Sequence, residues 1–295
     1  MNPLVSIITP SYNQGRFIEE TIQSVLSQDY PCIEHIIIDG RSSDNTLDIL
    51  RKYQDRNTWI SEKDNGQSDA INKGFKMAKG EILVWLNSDD TYLPGAISAV
   101  VDYFRANPEK RVVYGRGYYV AENGSIIMPH WTDPLAGDNL AETFYICQPA
   151  WFIHREVIEK IGLLNTNLHH CMDYEFAIRI RKEYPMGYLD KYLANLRLYR
   201  GTKSSHYKTG QAEILAVQRK YFGKISFNIA YRCSRTALQA KLNRDDLVFK
   251  PPGIILKLTA IFLSFFKFTR LNHKLPTVEF IHWLKTNFRI SRSTV

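Results

Sequence analysis

Cysteine is scarce in this sequence of 295 residues, which has four: Cys32, Cys147, Cys171 and Cys233. They form no CxxC pair and show no metal-ligand spacing, so the sequence offers no cysteine-based metal site. We expect buried thiols, which fit a reducing cytosol. Internal repeats and low-complexity tracts are also lacking. With 44% hydrophobic and 23% charged residues, the composition is that of an ordinary globular protein, not a disordered one.

Long apolar runs are missing as well. The N-terminal segment reads MNPLVSIITPSYN; it lacks a basic lead and its apolar run stops at once, so we expect no signal peptide. The apolar stretch 254–268, IILKLTAIFLSFFKF, has 15 residues and contains Lys257 and Lys267. Because about 20 residues are needed to cross a bilayer, this stretch is too short to span one comfortably. A cytoplasmic protein is therefore predicted.

Acidic residues are rare in the last third of the chain. From Gly201 onward there are 17 Lys and Arg against four Asp and Glu, a formal charge of +13, whereas the first 200 residues carry 21 against 26, or −5. A basic tail on a mildly acidic body suggests an anionic partner, either lipid or nucleic acid. A solvated basic face is the alternative. No recognised nucleic-acid motif is present, so we predict no nucleic-acid partner.

On a helical wheel, the stretch 254–268 groups Lys257, Ser264 and Lys267 and leaves a wide apolar face. This pattern is typical of a helix lying in a membrane interface, with Trp283 and Phe288 as further anchors. A helix buried against the rest of the chain or against a subunit partner is the alternative.

Apolar periodicity in the first 110 residues alternates between strands and helices. Short β-branched runs predict buried strands, and apolar residues at helical spacing predict helices between them. Asp44 is a candidate N-cap and Gly80 a candidate C-cap. Such alternation predicts an α/β fold with a mostly parallel sheet and helices on both faces. The predicted strands are 5–9, 33–38, 59–61 and 82–86, and the predicted helices 17–26, 47–53, 70–78 and one from about 94.

The pattern loosens after about Lys110. Further strands are predicted at 112–120, 125–128 and 150–154, and helices at 173–184 and 210–221. Ligands of open α/β sheets bind at the carboxyl ends of the strands. That rule selects the polar segments 9–13, 39–44 and 87–90.

Three acidic sites deserve inspection on this basis. Asp89 and Asp90 are adjacent carboxylates directly after a predicted buried strand, and such a pair persists more readily beside a cation, with Mg²⁺ and Mn²⁺ preferring oxygen ligands. A solvated turn with a helix N-cap is the alternative. Asp39, at the end of the second strand, could accept hydrogen bonds from a ligand or form an Asx turn. Asp173 opens a predicted helix and could simply cap it.

Three segments together resemble family 2 glycosyltransferases over roughly residues 4–205. They are VSIITPSYNQGRFIEETIQSVLSQDYPCIEHIIIDGRSSDNTLDIL, SEKDNGQSDAINKGFKMAKGEILVWLNSDD and ICQPAWFIHREVIEKIGLLNTNLHHCMDYEFAIRI. The resemblance implies the GT-A fold, a Rossmann-like sheet with flanking helices, here followed by a basic helical C-terminal extension. It implies a catalytic domain over 1–205, with a nucleotide-binding half 1–110 and an acceptor half 111–205, and the extension over 206–295.

The resemblance also implies roles for individual residues. Asp39 would contact the nucleotide base, most often uracil, Asp89 would lie by the ribose and metal, Asp90 would be the main ligand of Mg²⁺ or Mn²⁺, and Asp173 would be the catalytic base. The remaining nucleotide contacts would be Thr9, Pro10, Tyr12 and Asn72.

The sequence departs from the family pattern at three places. Asn87 stands where the DxD motif has its first acidic residue, Met172 replaces the glutamate of the ED pair, and Ile71 replaces a frequent arginine. Lys73 or Lys76 could supply the missing positive charge. Nearby acidic residues either line the nucleotide pocket or cap the next helix: Glu62, Asp64 and Asp69.

Four further side chains are candidates for contacts with the diphosphate or the acceptor. Lys203 and Arg200 belong to a basic loop that could touch the pyrophosphate, with an ordinary solvated loop as the alternative. Trp151 and His154, with His169 and His170, could contact an acceptor, although core packing explains Trp151 equally well.

These observations predict an inverting glycosyltransferase that moves a sugar from a nucleotide diphosphate sugar, a UDP-sugar foremost, to a saccharide or lipid-linked acceptor. The resemblance implies cell-surface polysaccharide or glycolipid synthesis at the inner face of the cell membrane. A sugar-1-phosphate nucleotidyltransferase is disfavoured, because the segment after the first strand is PSYNQG rather than a Gly-rich basic loop. A catalytically inactive nucleotide-sugar sensor remains the rival from another class, on account of Asn87, Met172 and Ile71.

Overall fold

The computed structural model describes residues 2–135, 138–144, 146–199, 201–203, 207–241 and 254–287. The chain divides into two compact units. The first comprises Met1–Asp138 with Phe144–Tyr199, and the second comprises Asn139–Thr143 with Arg200–Val295.

The N-terminal half of the first unit is a parallel sheet between helices. Strand β1 pairs in parallel with both β2 and β4, and β2 pairs in parallel with β3. Strands β1, β2 and β4 are rich in Val and Ile and are largely buried on both faces, as parallel strands covered by helices must be. Strand β3, at the edge of the sheet, is partly exposed. The elements are β1 (Val5–Ser11), α1 (Ile18–Leu26), β2 (Ile33–Asp39), α2 (Thr46–Lys52), β3 (Thr58–Ser61), α3 (Gln67–Met77) and β4 (Ile82–Trp85).

The sheet becomes mixed in its second half. Among the described residues it has nine strands in the order β3-β2-β1-β4-β8-β6-β9-β5, with β7 paired to β6. Strand β8 runs antiparallel to β4 and β6, whereas β6 and β9 are parallel. The elements are β5 (Thr91–Tyr92), α4 (Ala96–Ala106), β6 (Val112–Val120), β7 (Ile126–Pro129), β8 (Trp151–His154), α5 (Arg155–Ile161), α6 (Met172–Glu183) and β9 (Gly187–Arg197).

The α/β architecture predicted from the sequence is confirmed, whereas two predicted helix caps are wrong. The N-cap of α2 is Asn45 rather than Asp44, whose carboxylate accepts the amides of Gly15 and Thr46. Helix α3 ends at Met77, and Gly80 does not cap it. A Cβ at Gly80 would lie 2.6 Å from Oγ of Ser6 and 2.7 Å from the carbonyl oxygen of Leu4. Glycine is needed there because the backbone passes closely over β1.

The second unit is helical. Its helices are α7 (Tyr207–Phe222), α8 (Phe227–Lys241), α9 (Ile254–Asn272) and α10 (Thr277–Asn287). Phe227, Ala230, Phe268 and Trp283 form a buried cluster. Trp283 is thus a core residue and not the exposed membrane anchor that the sequence suggested, and Phe288 lies outside the described residues. No helix within the described ranges is both long enough and apolar enough to cross a membrane.

Candidate active site

Asp39 is fully buried at the carboxyl end of β2. Its carboxylate accepts hydrogen bonds from the backbone amide of Ser42 at 2.9 Å, from the Ser42 hydroxyl, and from the Ser61 hydroxyl at 2.6 Å. A carboxylate has about four lone-pair sites, so three are already used. Asp39 therefore joins the loop after β2 to the end of β3 through buried hydrogen bonds.

The loops after β1 and β2 are joined by hydrogen bonds. The backbone amide of Asn13 donates to the Ser42 hydroxyl at 2.8 Å, and the amide of Ser43 donates to the side-chain oxygen of Asn13 at 2.8 Å. Asn13 has a φ of 52°, a left-handed conformation that Asn tolerates better than most residues. Asp44 receives the amide of Gly15 at 2.9 Å. These contacts pre-form the edge of the sheet at the predicted nucleotide site.

The predicted contacts on β1 differ in their access to this edge. Tyr12 is exposed immediately after β1. Thr9 is buried, and its hydroxyl lies 2.9 Å from Nε2 of His35, whose Nδ1 lies 3.1 Å from the side-chain oxygen of Asn57. Pro10, which follows Thr9 in β1, is also buried. Of these, Tyr12 offers a ligand the largest surface.

Asp90 is 5% exposed and is bonded from within. Its Oδ1 accepts the backbone amide of Arg197 at 2.9 Å, and its Oδ2 accepts the side-chain amide of Asn87 at 3.0 Å. Burial and the neighbouring charge of Asp89 raise the pKa of the Asp90 carboxyl well above its usual value. Protein donors thus occupy one lone-pair site on each oxygen of Asp90, and its role as the main metal ligand stays a prediction.

Asp89 is the more accessible of the two carboxylates, being only partly buried. The hydroxyl of Tyr199 donates to its Oδ2 at 3.1 Å. Burial raises the pKa of Asp89, while the Tyr199 hydrogen bond and the charges of Arg197 and Arg16 oppose that shift. The structure thus favours Asp89 as the carboxylate that a cation would meet.

Asn87 fills the place of the missing DxD carboxylate with an amide that is fully used. Its Nδ2 donates to Asp90 at 3.0 Å and to Gln148 at 3.0 Å, and its oxygen accepts a hydrogen bond of 2.7 Å from Gln67. A carboxylate cannot donate to Asp90. The amide therefore donates two hydrogen bonds that an aspartate at position 87 could not donate.

Arg197, at the end of β9, is a site residue that sequence reasoning missed. Its guanidinium is nearly buried and contacts three groups: the carbonyl oxygens of Asp89 at 3.0 Å and Glu122 at 2.6 Å, and the carboxylate of Glu20. Its place at the carboxyl end of a strand is the one signal that could have found it. That signal was not available, because strand β9 was not among the predicted strands.

The loop that precedes α6 is anchored on α3. The side chain of Asn72 donates to the carbonyl oxygen of Leu164 and accepts from its amide, both at 2.9 Å, and the hydroxyl of Ser68 donates to the carbonyl oxygen of Leu168 at 3.1 Å. Asn72 is therefore committed to the backbone of Leu164, which replaces its predicted nucleotide contact with an anchoring role.

Asp173 lies in the first turn of α6 and is partly buried. Its Oδ1 accepts the backbone amide of Tyr174 at 2.7 Å. Met172, in the place of the family glutamate, is buried. Gln67, at the start of α3, donates a hydrogen bond to Asn87, and Ser68 of the same helix donates one to the loop before α6. A single helix therefore connects the loop before Asp173 with the loop of Asp89.

The other predicted contacts lie elsewhere. Trp151 is buried, and its ring packs 5.8 Å from Trp85 and from Phe176, so it supports the sheet rather than meeting an acceptor. His154 pairs with Ile82 at the start of β4, the opposite end of that strand from Asp89, and packs on Phe104. The structure thus corrects both expectations.

The basic residues predicted to contact the donor diphosphate are not free at this edge of the sheet or lie outside the first unit's described residues. Lys73 is paired with Glu62 at 2.7 Å and lies 3.7 Å from Asp69, so its charge is already compensated. Ile71 is buried. Lys203 belongs to the second unit, and Arg200 lies outside the described residues.

The chemistry of this edge suits a hard divalent cation. Mg²⁺ and Mn²⁺ typically take one or two carboxylates and complete their shell with substrate phosphates and water. Asp89 offers an oxygen donor whose negative charge is costly where it lies, as its raised pKa indicates. In the part of the chain that the structure describes, no cluster of three or more Cys, His, Asp or Glu is placed to hold a metal.

The sequence that forms this site matches a protein-family model. The model described as "Glycosyl transferase family 2" matches residues 6–179, which contain Asp39, Asp89 and Asp173. The chain belongs to glycosyl transferase family 2.

Curated relatives carry glycosyltransferase names. An uncharacterized glycosyltransferase of Rickettsia felis is 30% identical over 212 residues, covering 67% of this chain and 34% of the relative. The putative teichuronic acid biosynthesis glycosyltransferase TuaG of Bacillus subtilis is 29% identical, covering 69% of this chain and 82% of the relative. This chain thus spans only about a third of the length of the first curated relatives it matches.

Two solved structures of similar fold are complexes with nucleotide sugars. S. aureus TarS in complex with UDP-GlcNAc matches with a TM-score of 0.58 at 17% identity, covering 90% of this chain and 81% of that one. The mannosyltransferase PcManGT from Pyrobaculum calidifontis, in complex with GDP-Man and Mn²⁺, matches with a TM-score of 0.55 at 17% identity, covering 97% and 81%. These likenesses confirm the predicted GT-A fold.

Proposed function

We propose that this family 2 member is an inverting glycosyltransferase that moves a sugar from a nucleotide diphosphate sugar, with a UDP-sugar as the first candidate, to an acceptor hydroxyl. The observation that carries the proposal is the placement of Asp39 and Asp89 at the same edge of the parallel strands β2 and β4, with the loop before Asp173 anchored on the intervening helix α3.

The nucleotide would bind along the edge formed by the loops after β1 and β2. Asp39 would accept a base N–H, and the rotatable Ser42 hydroxyl would yield its place on the carboxylate. Tyr12 would supply the exposed ring beside the base, since it is the accessible aromatic side chain of that loop. The joined loops need little reordering to receive a ligand, which lowers the cost of binding.

The diphosphate would lie towards Asp89. A Mg²⁺ or Mn²⁺ ion held there would offset the negative charge that grows on the leaving diphosphate. Asp90 would fix the loop beneath Asp89, because its two oxygens bond Arg197 and Asn87. Tyr199 would orient the Asp89 carboxylate through its hydroxyl.

Asp173 would act as the general base. Its carboxylate would accept the proton of the acceptor hydroxyl as that oxygen attacks the anomeric carbon, a contribution of about 10²- to 10⁴-fold in rate. A single in-line displacement inverts the anomeric configuration, so an α-linked donor would give a β-linked product.

The acceptor is proposed to be a saccharide or lipid-linked saccharide of the cell surface. The TuaG likeness supports a role in polysaccharide synthesis. The +13 charge of residues 201–295 supports a peripheral location on the anionic inner face of the cell membrane.

The deciding experiment measures release of nucleoside diphosphate from UDP-, GDP- and dTDP-sugars, with Mn²⁺ and with chelator. We expect metal-dependent release from one donor. Asp173→Asn should lose turnover by about 10²-fold or more while retaining donor binding in calorimetry, and Asp48→Asn, on the exposed face of α2, should behave as wild type.

Two results would contradict the proposal. Donor binding without turnover, even with lipid-linked acceptors present, would indicate a nucleotide-sugar sensor instead. Absence of binding to every donor in the panel would exclude this activity for the chain.

A further inference from the structure

Helix α9 has apolar side chains on its outward side as well as on the side that packs in the second unit, where Ile261 and Phe265 contact the cluster of Phe268. Its side facing the interior of the second unit carries Ala260, Ser264 and Phe268, all buried, and the Ser264 hydroxyl returns to the carbonyl oxygen of Ala260. Lys267 lies partly buried on the same side, with its Nζ 3.4 Å from the side-chain oxygen of Gln211. Two of the three residues that the helical wheel assigned to a solvent-facing polar side, Ser264 and Lys267, therefore point inward.

Large apolar side chains also occupy the outward side. Leu258, Phe262 and Phe266 are 60%, 62% and 63% exposed, and Leu263 is exposed beside them. Their spacing of four residues aligns the first three in one row, about 12 Å long at 1.5 Å per residue. The Phe262 and Phe266 rings contact each other, with centroids 4.9 Å apart. We call these four residues the α9 apolar row.

Basic residues flank the row. Exposed Lys257 precedes it and exposed Arg270 follows it on the same helix. The turn into α10 adds exposed Leu275 and Val278. An exposed apolar row with basic residues at both ends is the pattern of helices that lie in a membrane interface, because the rings enter the acyl boundary while the cations meet anionic headgroups.

We infer that the α9 apolar row is the face through which this protein docks on an anionic phospholipid bilayer, with α9 lying in the plane of the interface. The inference deepens the proposed peripheral location by naming the surface, and it is independent of the sugar-transfer chemistry. The lipid headgroups would be the counter-charge for Lys257 and Arg270.

A second copy of the chain is the competing occupant. Pairing two such rows would bring together two segments that each carry +13, and this repulsion is unfavourable at physiological ionic strength. A bilayer with anionic lipids has the opposite charge. The charge of the segment therefore selects the bilayer.

The test is sedimentation of the full chain with vesicles of phosphatidylcholine alone or mixed with phosphatidylglycerol. We expect wild type to bind the mixed vesicles, and Phe262→Ser/Phe266→Ser to bind at least about tenfold more weakly, since the buried apolar area is lost. Ile126→Ser/Ile127→Ser, which removes two exposed apolar residues from β7 of the first unit, is the matched control and should bind as wild type. Circular dichroism confirms that each variant is folded.

The other outcomes separate the claims. Equal vesicle binding by wild type and the Phe262/Phe266 variant would overturn the docking face and leave an attraction by charge alone. No vesicle binding by wild type would overturn both the docking face and the proposed peripheral location, without touching the transferase proposal. A dimer in light scattering that the same double variant abolishes would assign the row to a second copy.

Discussion

The backbone amide of Arg197 donates a hydrogen bond of 2.9 Å to Oδ1 of Asp90, although 107 residues separate the two in the sequence. The guanidinium of the same residue donates to the carbonyl oxygen of Asp89. Strand β9 thus holds the Asn87–Asp90 loop by both its main chain and its side chain. The loop that carries the accessible Asp89 carboxylate is therefore held in part by contacts from a strand distant in sequence.

Arg197→Lys tests this positioning role. The substitution keeps the backbone bond and the charge but loses the planar donor set, leaving the carbonyl oxygens of Asp89 and Glu122 without their partner. We expect a loss of about 1–3 kcal/mol in the free energy of unfolding and a higher KM for the donor with a smaller change in kcat. Urea denaturation and steady-state kinetics measure both quantities.

Arg51→Lys is the matched control, because Arg51 pairs with Asp48 on the exposed face of α2. It should leave KM and stability near their wild-type values, as exposed ion pairs contribute about 0–1 kcal/mol. An Arg197→Lys variant with unchanged KM would contradict the positioning role.

Asn87→Asp restores the carboxylate of the family motif, and we expect it to destabilise the metal-free protein. The new carboxylate could not donate to Asp90 or Gln148, and leaving such buried groups unpaired costs about 1–3 kcal/mol. Burial and like charge would raise its folded-state pKa above the unfolded value, so the destabilisation should grow as pH rises from 5 to 8.

Urea denaturation at both pH values measures the effect, and Mn²⁺ should reduce it by offsetting the added charge. Asn123→Asp is the control, since the oxygen of Asn123 only accepts hydrogen bonds, from Ser125 in an exposed turn. A variant as stable as wild type at pH 8 would show that the amide network is dispensable.

Binding of Mn²⁺ with UDP should strengthen as pH rises through the acidic range. Burial raises the pKa of Asp89, and burial together with Asp89 raises that of Asp90, so protons compete with the cation at low pH. Calorimetry at several pH values should show proton release on binding. A pH-independent affinity would indicate that neither carboxylate meets the metal.

His35 should contribute to acid denaturation. Burial lowers the pKa of this histidine from 6.5 to about 4, so the folded state favours the neutral ring. The associated stability is present above about pH 6.5 and is lost as pH falls through about 4, a change on the order of 3 kcal/mol. His35→Gln should flatten the stability profile over this range, whereas His273→Gln, at an exposed position, should not. An unchanged profile in His35→Gln would locate the acid-sensitive group elsewhere.

Local pattern was enough to predict the four parallel strands, because buried β-branched runs such as the one in β1 leave little choice of structure. The same pattern, with the rule that ligands meet strand ends, pointed to the loops of Asp39 and Asp89. The side-chain commitments were beyond it. Asn72, Asp90 and Trp151 each have partners distant in sequence, and residue type alone does not reveal which polar groups are already satisfied.

Helix α9 shows the same limit in reverse. Its wheel grouped Lys257, Ser264 and Lys267 on one side, but Lys257 is exposed whereas Ser264 is buried. The side that faces inward is decided by the packing of α8 and α10 around Phe268. A wheel contains no information about that neighbourhood.

The anchoring of the loop before α6 on Ser68 and Asn72 has a consequence for engineering. A chimera that imports residues 150–199 from a relative to change acceptor preference would bring a loop that no longer matches the α3 surface of its host. Asn72 would then have to find the Leu164 position at the same distance, or lose both of its hydrogen bonds. A successful graft should therefore carry the first turns of α3 together with residues 150–199.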